Sequence, residues 1–373
     1  VTSPDVLRLA DTHRIDPTDA MPPGVPIVAP PDLETAAEIL RAASATATPV
    51  LFWGAGSHQG FGHAVDAGLV LSTARLDRIV DWQPDDLTIV VESGLTVRRL
   101  QEHIAGRNQS AVFPEHPGPA TVGGVIAAGL SGFRRLRYGP TRDRLLESVV
   151  VTGDGRIATA GGRVVKNVTG YDIPRLVAGS LGSLGLLGRV CLKLWPEPAV
   201  TASLPVTDAA AAARIAYRPL AVLETNDAAV VIVGGTEHEI AGQAADLGSS
   251  PSPGVRWPEL PPTPWRVVLR VPPARTGDAV ARLRAIDGAA FIAAHGVGEI
   301  QVAGSSEAAA AFGEVRHWAE SVGGALVVAH RPGPDALFDP WGTPPATLDL
   351  QRRVKAAFDP AGIANPGRLP GRI

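Results

Sequence analysis

The sequence predicts an α+β protein of two lobes with an ordered tail, on three observations. A chain of 373 residues is longer than one ordinary domain of about 100–200 residues. Helix-like and strand-like pieces follow one another along its length. Near Pro196-Glu197-Pro198 the composition changes, and the two prolines mark an exit from the first lobe.

In order, residues 27–32 read as a short strand and turn, with Asp32 placed to cap a helix over 33–44. A strand over 49–53 runs into a loop, 54–62, with glycine at 54, 56, 60 and 62. Strands are expected at 69–72 and 87–92, a helix at 97–104, a buried helix of small residues at 121–130, and strands at 149–152 and 190–194. In the second lobe, helix-like and strand-like pieces alternate at 208–215, 229–233, 265–271, 278–285, 299–303, 308–321 and 325–329. Six prolines within 251–264 mark a surface loop. A helix from Leu348 leads into a tail over 358–368, and no repeat of 20–50 residues is visible.

The hydrophobic share of 45% against 19% charged supports a large core and excludes a disordered, charge-rich chain. Gly (41) and Pro (34) together form a fifth of the chain, against a usual share of about 12%, so tight turns and close backbone approaches are frequent. Chemistry is expected on loops. A net charge of -3 without runs of like charge argues against nucleic acid as a partner. The single Cys191 excludes an internal disulfide and a Cys-ligated iron-sulfur cluster within this chain. No apolar run reaches the ~18 residues of a membrane span and the first residues are polar, so a cytoplasmic location is expected.

Two small-residue segments carry the first chemical reading. A glycine-rich loop after a strand exposes amides to which a pyrophosphate can come close. The loop at 54–62 qualifies, but Gln59 stands where the Rossmann fingerprint needs a third glycine. A tight turn between strands is its other reading. The run 114–132 places Gly, Ala and Thr where a ligand or another backbone approaches closely, or where a helix packs tightly on a sheet. A third element, Lys166-Asn167-Val168-Thr169-Gly170-Tyr171-Asp172, precedes glycines at 179, 182 and 185.

In this order these segments closely resemble the FAD-binding half of the vanillyl-alcohol oxidase, or PCMH-type, flavoprotein family, over about 25–198 and again over 348–368. Within it, Pro114-Glu115-His116-Pro117 with Thr121-Val122-Gly123-Gly124, the 129–135 segment running on to Arg142-Asp143, and the 166–172 segment look like the small FAD-binding subunits of bacterial glycolate oxidases. The resemblance implies a PCMH-type FAD-binding domain of two α+β subdomains (20–198), a smaller α+β cap domain (199–345), and a C-terminal segment (346–373) returning to the FAD domain. It puts Gly54, Gly56, Ser57, His58, Gly60, Thr121, Gly123, Gly124, Gly129, Ser131, Gly132, Gly185 and Leu187 at the FAD. Some members attach the flavin through a histidine of the first loop. The matching position here is Ser57, which implies non-covalent FAD; a register shift of one would make His58 the attachment residue.

The second lobe is less informative. Oxidation of a 2-hydroxy acid needs a cation for the carboxylate and a base for the hydroxyl proton, with a flavin as hydride acceptor. His295 and Glu299 lie four apart, but Gly296 and Gly298 favour a turn histidine, and no metal site is expected. Arg134, Arg135, Arg137, Arg142 and Arg144 suit a carboxylate or phosphate, or else form a solvated face. Lys166, Tyr171 and Asp172 are polar candidates near the flavin, or structural hydrogen-bonding groups. His116, Arg135 and His295 are the catalytic candidates. The resemblance implies a subunit oxidising glycolate or a related 2-hydroxy acid beside a larger FAD-binding subunit and an iron-sulfur subunit, with any membrane attachment made through those partners. A self-sufficient FAD oxidoreductase and a flavin-binding assembly subunit without turnover are the alternatives.

Overall fold

A computed structural model describes residues 11–16, 21–163, 170–333 and 339–373; Lys166 lies outside the described residues. The chain opens with β1 (Ile27–Val28), α1 (Leu33–Ala45), β2 (Val50–Trp53) and β3 (Leu69–Ser72). These strands form a parallel sheet in the order β1-β3-β2. Asp32 accepts from the Thr35 amide at 2.7 Å and starts α1, whose Leu33, Ala36, Ile39 and Leu40 are buried against the sheet.

Next come β4 (Ile79–Gln83), β5 (Thr88–Glu92), α2 (Val97–Ala105), β6 (Gln109–Ser110), α3 (Val122–Ala127), α4 (Arg135–Tyr138), β7 (Leu145–Val151), β8 (Ile157–Gly161), α5 (Ile173–Val177), β9 (Leu186–Lys193) and β10 (Trp195–Pro196). An antiparallel sheet of order β4-β5-β9-β7-β8 buries Ile89, Val91, Val150, Leu187 and Val190 among α2 and α3. The helix expected over 121–130 is shorter, because Gly129 takes φ +65° and ends it.

The second lobe holds β11 (Val200–Val206), α6 (Ala209–Ile215), β12 (Ala221–Thr225), β13 (Ala229–Gly235), α7 (Glu237–Asp246), β14 (Ser252–Pro253), β15 (Trp265–Arg270), α8 (Thr276–Arg284), β16 (Ala289–Ala294), β17 (Glu299–Gly304), α9 (Ser306–Ser321) and β18 (Ala325–His330). Its strands form one antiparallel sheet, β14-β11-β13-β12-β16-β17-β15-β18. Strand alternation gives this sheet two different faces. Val267, Leu269, Ile300, Val302, Leu326 and Val328 pack under α8 and α9. The opposite face meets the first lobe, where Val268 and Val327 pack with Phe61 and Leu181.

After α10 (Leu348–Phe358) the tail returns to the first lobe. Ala364 bridges Val50 in parallel and the Asn365 amide donates to Val50 O at 2.9 Å. The buried Lys355 Nζ donates to Asp359 Oδ2 at 2.6 Å, Ala364 O at 2.8 Å and Ser183 O at 2.9 Å. This pairing lets two charges lie in an interior that also holds Ile363 and Ala364.

Candidate functional site

Strand β2 delivers the glycine loop. Gly54 has no room for a side chain, since a Cβ there would lie 2.5 Å from Thr121 Oγ1. Gly56 has φ +78°, and a Cβ would lie 2.6 Å from the Trp53 ring. Among the described residues, none accepts a hydrogen bond from the amides of Ala55, Gly56, Ser57 or His58. Successive unengaged amides make a cradle for an anion.

The facing wall is α3. Thr121 Oγ1 accepts from the Gly124 amide at 3.1 Å and caps it. Gly123 presses on Ser93, whose carbonyl accepts its amide at 2.8 Å. A Cβ at Gly124 would meet only Thr121 Oγ1 at 3.1 Å and His58 Cδ2 at 3.9 Å, so a larger side chain would enter the space between the walls. Ser180, Gly182, Gly185 and Leu187 close another side, and Asn365 and Arg368 the last. The space between these walls, with the solvent at its open side included, is about 780 Å³.

The tail residues are the part that the sequence reading did not assign. Asn365 Oδ1 accepts from the Phe52 amide at 2.9 Å. Arg368, only 4% exposed, donates to Gln59 Oε1 at 2.6 Å and to the carbonyls of Gln59 and His58 at 3.1 and 3.2 Å. Burial pulls its pKa down to about 10, which leaves it charged at neutral pH. Burial also lowers the pKa of His58, against a smaller opposing effect of the Ser57 carbonyl and with the charge of Arg368 adding to it, so the ring is neutral near pH 7. His58 Nε2 and Arg368 Nε are buried polar atoms without a partner among the described residues, as expected of groups that wait for a ligand. The signal available in the sequence was the Asn365-Pro366-Gly367-Arg368 turn itself.

A second cleft shares Ser57, His58 and Ala120 with the first and lies between the lobes. Its walls include the sheet face carrying Arg266, Val268, Glu299 and Gln301, and the proline-rich loop at Leu260, Pro262 and Pro264. His116 Nδ1 lies 2.7 Å from Glu259 Oε1, linking the first lobe to that loop. Trp257 of the same loop stacks on Phe133 at 6.0 Å.

Of the residues expected at the cofactor, Gly54, Gly56, Ser57, His58, Thr121, Gly123, Gly124, Gly185 and Leu187 line the first cleft. Four others do not. Gly60 allows the Ala329 carbonyl to approach, 2.6 Å from its Cβ position. Gly129 abuts Gly179, Gly132 leaves room for the Glu115 carboxylate, and Ser131 Oγ accepts from the Thr141 amide at 3.0 Å while lining the second cleft.

Two of the three catalytic candidates are engaged elsewhere. His295, 3% exposed, sits in the β16–β17 turn with Nε2 2.6 Å from Glu224 Oε2, outside both clefts, because Gly296 and Gly298 adopt positive φ and turn the chain there. Arg135 donates to Glu299 Oε2 at 3.1 Å and lines a neighbouring cavity. His116 is the candidate on the wall of the second cleft. Arg134 binds Glu115 and Glu197 while the buried Arg144 caps the carbonyls of Ala111, Val112 and Gly139, so these arginines brace the chain. Tyr171 is 91% exposed and Asp172 caps α5, so neither lines the cleft.

A family model described as an FAD binding domain matches residues 26–161, and one described as the C-terminal domain of FAD linked oxidases matches 301–369. The chain thus carries an FAD binding domain and a C-terminal domain of FAD linked oxidases. The chain is 32% identical over 204 residues to a D-lactate dehydrogenase of Archaeoglobus fulgidus, covering 52% of this chain and 45% of that one. It is 35% identical over 159 residues to glycolate oxidase subunit GlcE of Escherichia coli, covering 42% and 45%. It is 34% identical over 176 residues to a D-2-hydroxyglutarate dehydrogenase of Xanthomonas citri, covering 46% and 37%. Each match spans less than half the length of these relatives. Alkyldihydroxyacetonephosphate synthase shares the fold with a TM-score of 0.64 over 91% of this chain and 76% of that one, at 13% identity.

The cofactor is FAD. The first cleft fits it: unengaged loop amides suit a pyrophosphate, and Gly124 leaves the cleft free of side chain. Among the described residues, no helix is long and apolar enough to cross a membrane, and no group of three His, Cys, Asp or Glu is placed to hold a metal ion.

Proposed function

We propose that this FAD-linked oxidase is the FAD-binding subunit of a glycolate-oxidase-type 2-hydroxy acid dehydrogenase, working with a larger FAD-binding subunit and an iron-sulfur subunit. The observation that carries this reading is the junction of the two clefts at Ser57, His58 and Ala120, which lets a cofactor in one meet a substrate in the other. The similarity to GlcE supports the subunit role. The domain division at 198 and 346 belongs to this reading.

Bound FAD supplies a two-electron acceptor for the hydrogen on the carbinol carbon. The amides of residues 55–58 hold its pyrophosphate, and Ser57 offers no imidazole for attachment, so binding is non-covalent. Neutral His58, and His116 oriented by Glu259, are the wall groups suited to take the hydroxyl proton.

The second reading is a self-sufficient oxidoreductase, favoured by the second cleft having walls from both lobes of this one chain. Dye reduction by 2-hydroxy acids separates the two. Little or no turnover by the purified chain, restored on co-expression with a larger FAD subunit and an iron-sulfur subunit, supports the subunit reading; robust turnover by the chain alone supports the second.

A further inference from the structure

We propose that the second cleft selects a 2-hydroxy acid with a long apolar side chain over glycolate, with Arg266 holding the carboxylate; this rests on the 2-hydroxy acid reading above. The charges on the wall carry the first half. Glu299 already receives Arg135 at 3.1 Å and Arg270 at 2.9 Å on one oxygen. Arg266 faces the same cleft from β15 and, among the described residues, has no carboxylate partner. Among the described residues its Nη2 reaches only the carbonyls of Pro261 and Leu260, at 3.1 and 3.4 Å. A guanidinium has five N–H donors in a plane that matches a carboxylate, so Arg266 keeps donors for an incoming acid while its Nη2 fixes the loop beside it.

The apolar wall carries the second half. Leu260, Pro262 and Pro264 of the proline-rich loop face Pro117 and Leu130 of the first lobe and Val268 of the sheet. The loop is tied across the cleft by Glu259 to His116 and by Trp257 to Phe133. Glycolate has no side chain to cover these surfaces, whereas an alkyl or aryl substituent on the carbinol carbon does. Each buried methylene is worth about a fourfold gain in affinity.

The test titrates the FAD-loaded full chain with glycolate, 2-hydroxyoctanoate, octanoate and 1-octanol. Binding is read from the flavin absorbance difference spectrum and from thermal shift, so turnover is not needed. The expected result is 2-hydroxyoctanoate binding at least about 30-fold tighter than glycolate. Arg266→Gln should weaken 2-hydroxyoctanoate and octanoate about tenfold or more and leave 1-octanol unchanged, with flavin content confirming the fold. Glycolate binding as tightly as 2-hydroxyoctanoate overturns the inference and leaves the hydroxy acid reading intact. Equal losses for acids and alcohol in Arg266→Gln overturn the role of Arg266, and Arg266→Lys, which keeps the charge, checks that result. Binding of neither hydroxy acid to a flavin-loaded chain overturns the inference together with the hydroxy acid reading.

Discussion

Arg368 Nη1 donates to Gln59 Oε1 at 2.6 Å across 309 residues, so the last stretch of the chain holds the glycine loop of the first. Arg368→Met keeps the length of the side chain and removes every one of these donors. Charged hydrogen bonds contribute about 1.5–3 kcal/mol each, so a lower melting temperature and flavin loss on gel filtration are expected. Unchanged flavin retention would show that the loop keeps its shape without the tail.

His295→Ala should lower stability and leave flavin content unchanged, because His295 pairs with Glu224 outside both clefts. The His295 hydrogen bond, with Arg284 adding to it, holds the Glu224 carboxyl below its ordinary 4.5. A carboxyl with a depressed folded pKa gives its full stabilisation above its unfolded value and loses it as pH falls through the folded one. The deficit of the variant should therefore be widest above about pH 4.5 and shrink on further acidification, as read by urea denaturation across pH. A deficit that does not change with pH would contradict the pairing.

Gly124→Val should abolish FAD binding while Arg275→Ala should not. A branched Cβ at 124 enters the first cleft, whereas Arg275 is half exposed and paired with Asp278 at 2.9 Å. Flavin per chain after reconstitution is the readout. Normal occupancy in the valine variant would mean that α3 only packs against the sheet.

The glycine loop and the Thr121–Gly124 turn were legible because both need residues without Cβ, and sequence reports that directly. The strands at 79–83 and 157–161 were not, since they lie at sheet edges with half-exposed or exposed residues and lack an apolar alternation. β16, Ala-Ala-Phe-Ile-Ala-Ala, is central but alanine-rich, so its place comes from pairing with β12 and β17 and not from propensity. Gly60, Gly129 and Gly132 pack against neighbouring chain segments, and a glycine needed for a ligand and one needed for such a segment look alike in sequence. His295 was a candidate for the same reason: its partner Glu224 lies 71 residues away.

Asp359→Ala should be strongly destabilising. It leaves the Lys355 ammonium buried without its counter-charge and the amides of Ile363 and Ala364 without their acceptor. Breaking such a pair costs about 3–5 kcal/mol, measurable by urea denaturation. A loss under about 1 kcal/mol would place the pair among weak surface contacts.

The central claim is that the cleft between residues 54–58 and α3 holds FAD without a covalent link, and the most direct measurement is the flavin content of the purified full chain before and after acid precipitation. One FAD per chain, all of it released to the supernatant, is the predicted result. A chain that takes up no flavin on reconstitution, or yellow colour that stays with the precipitate, would contradict it.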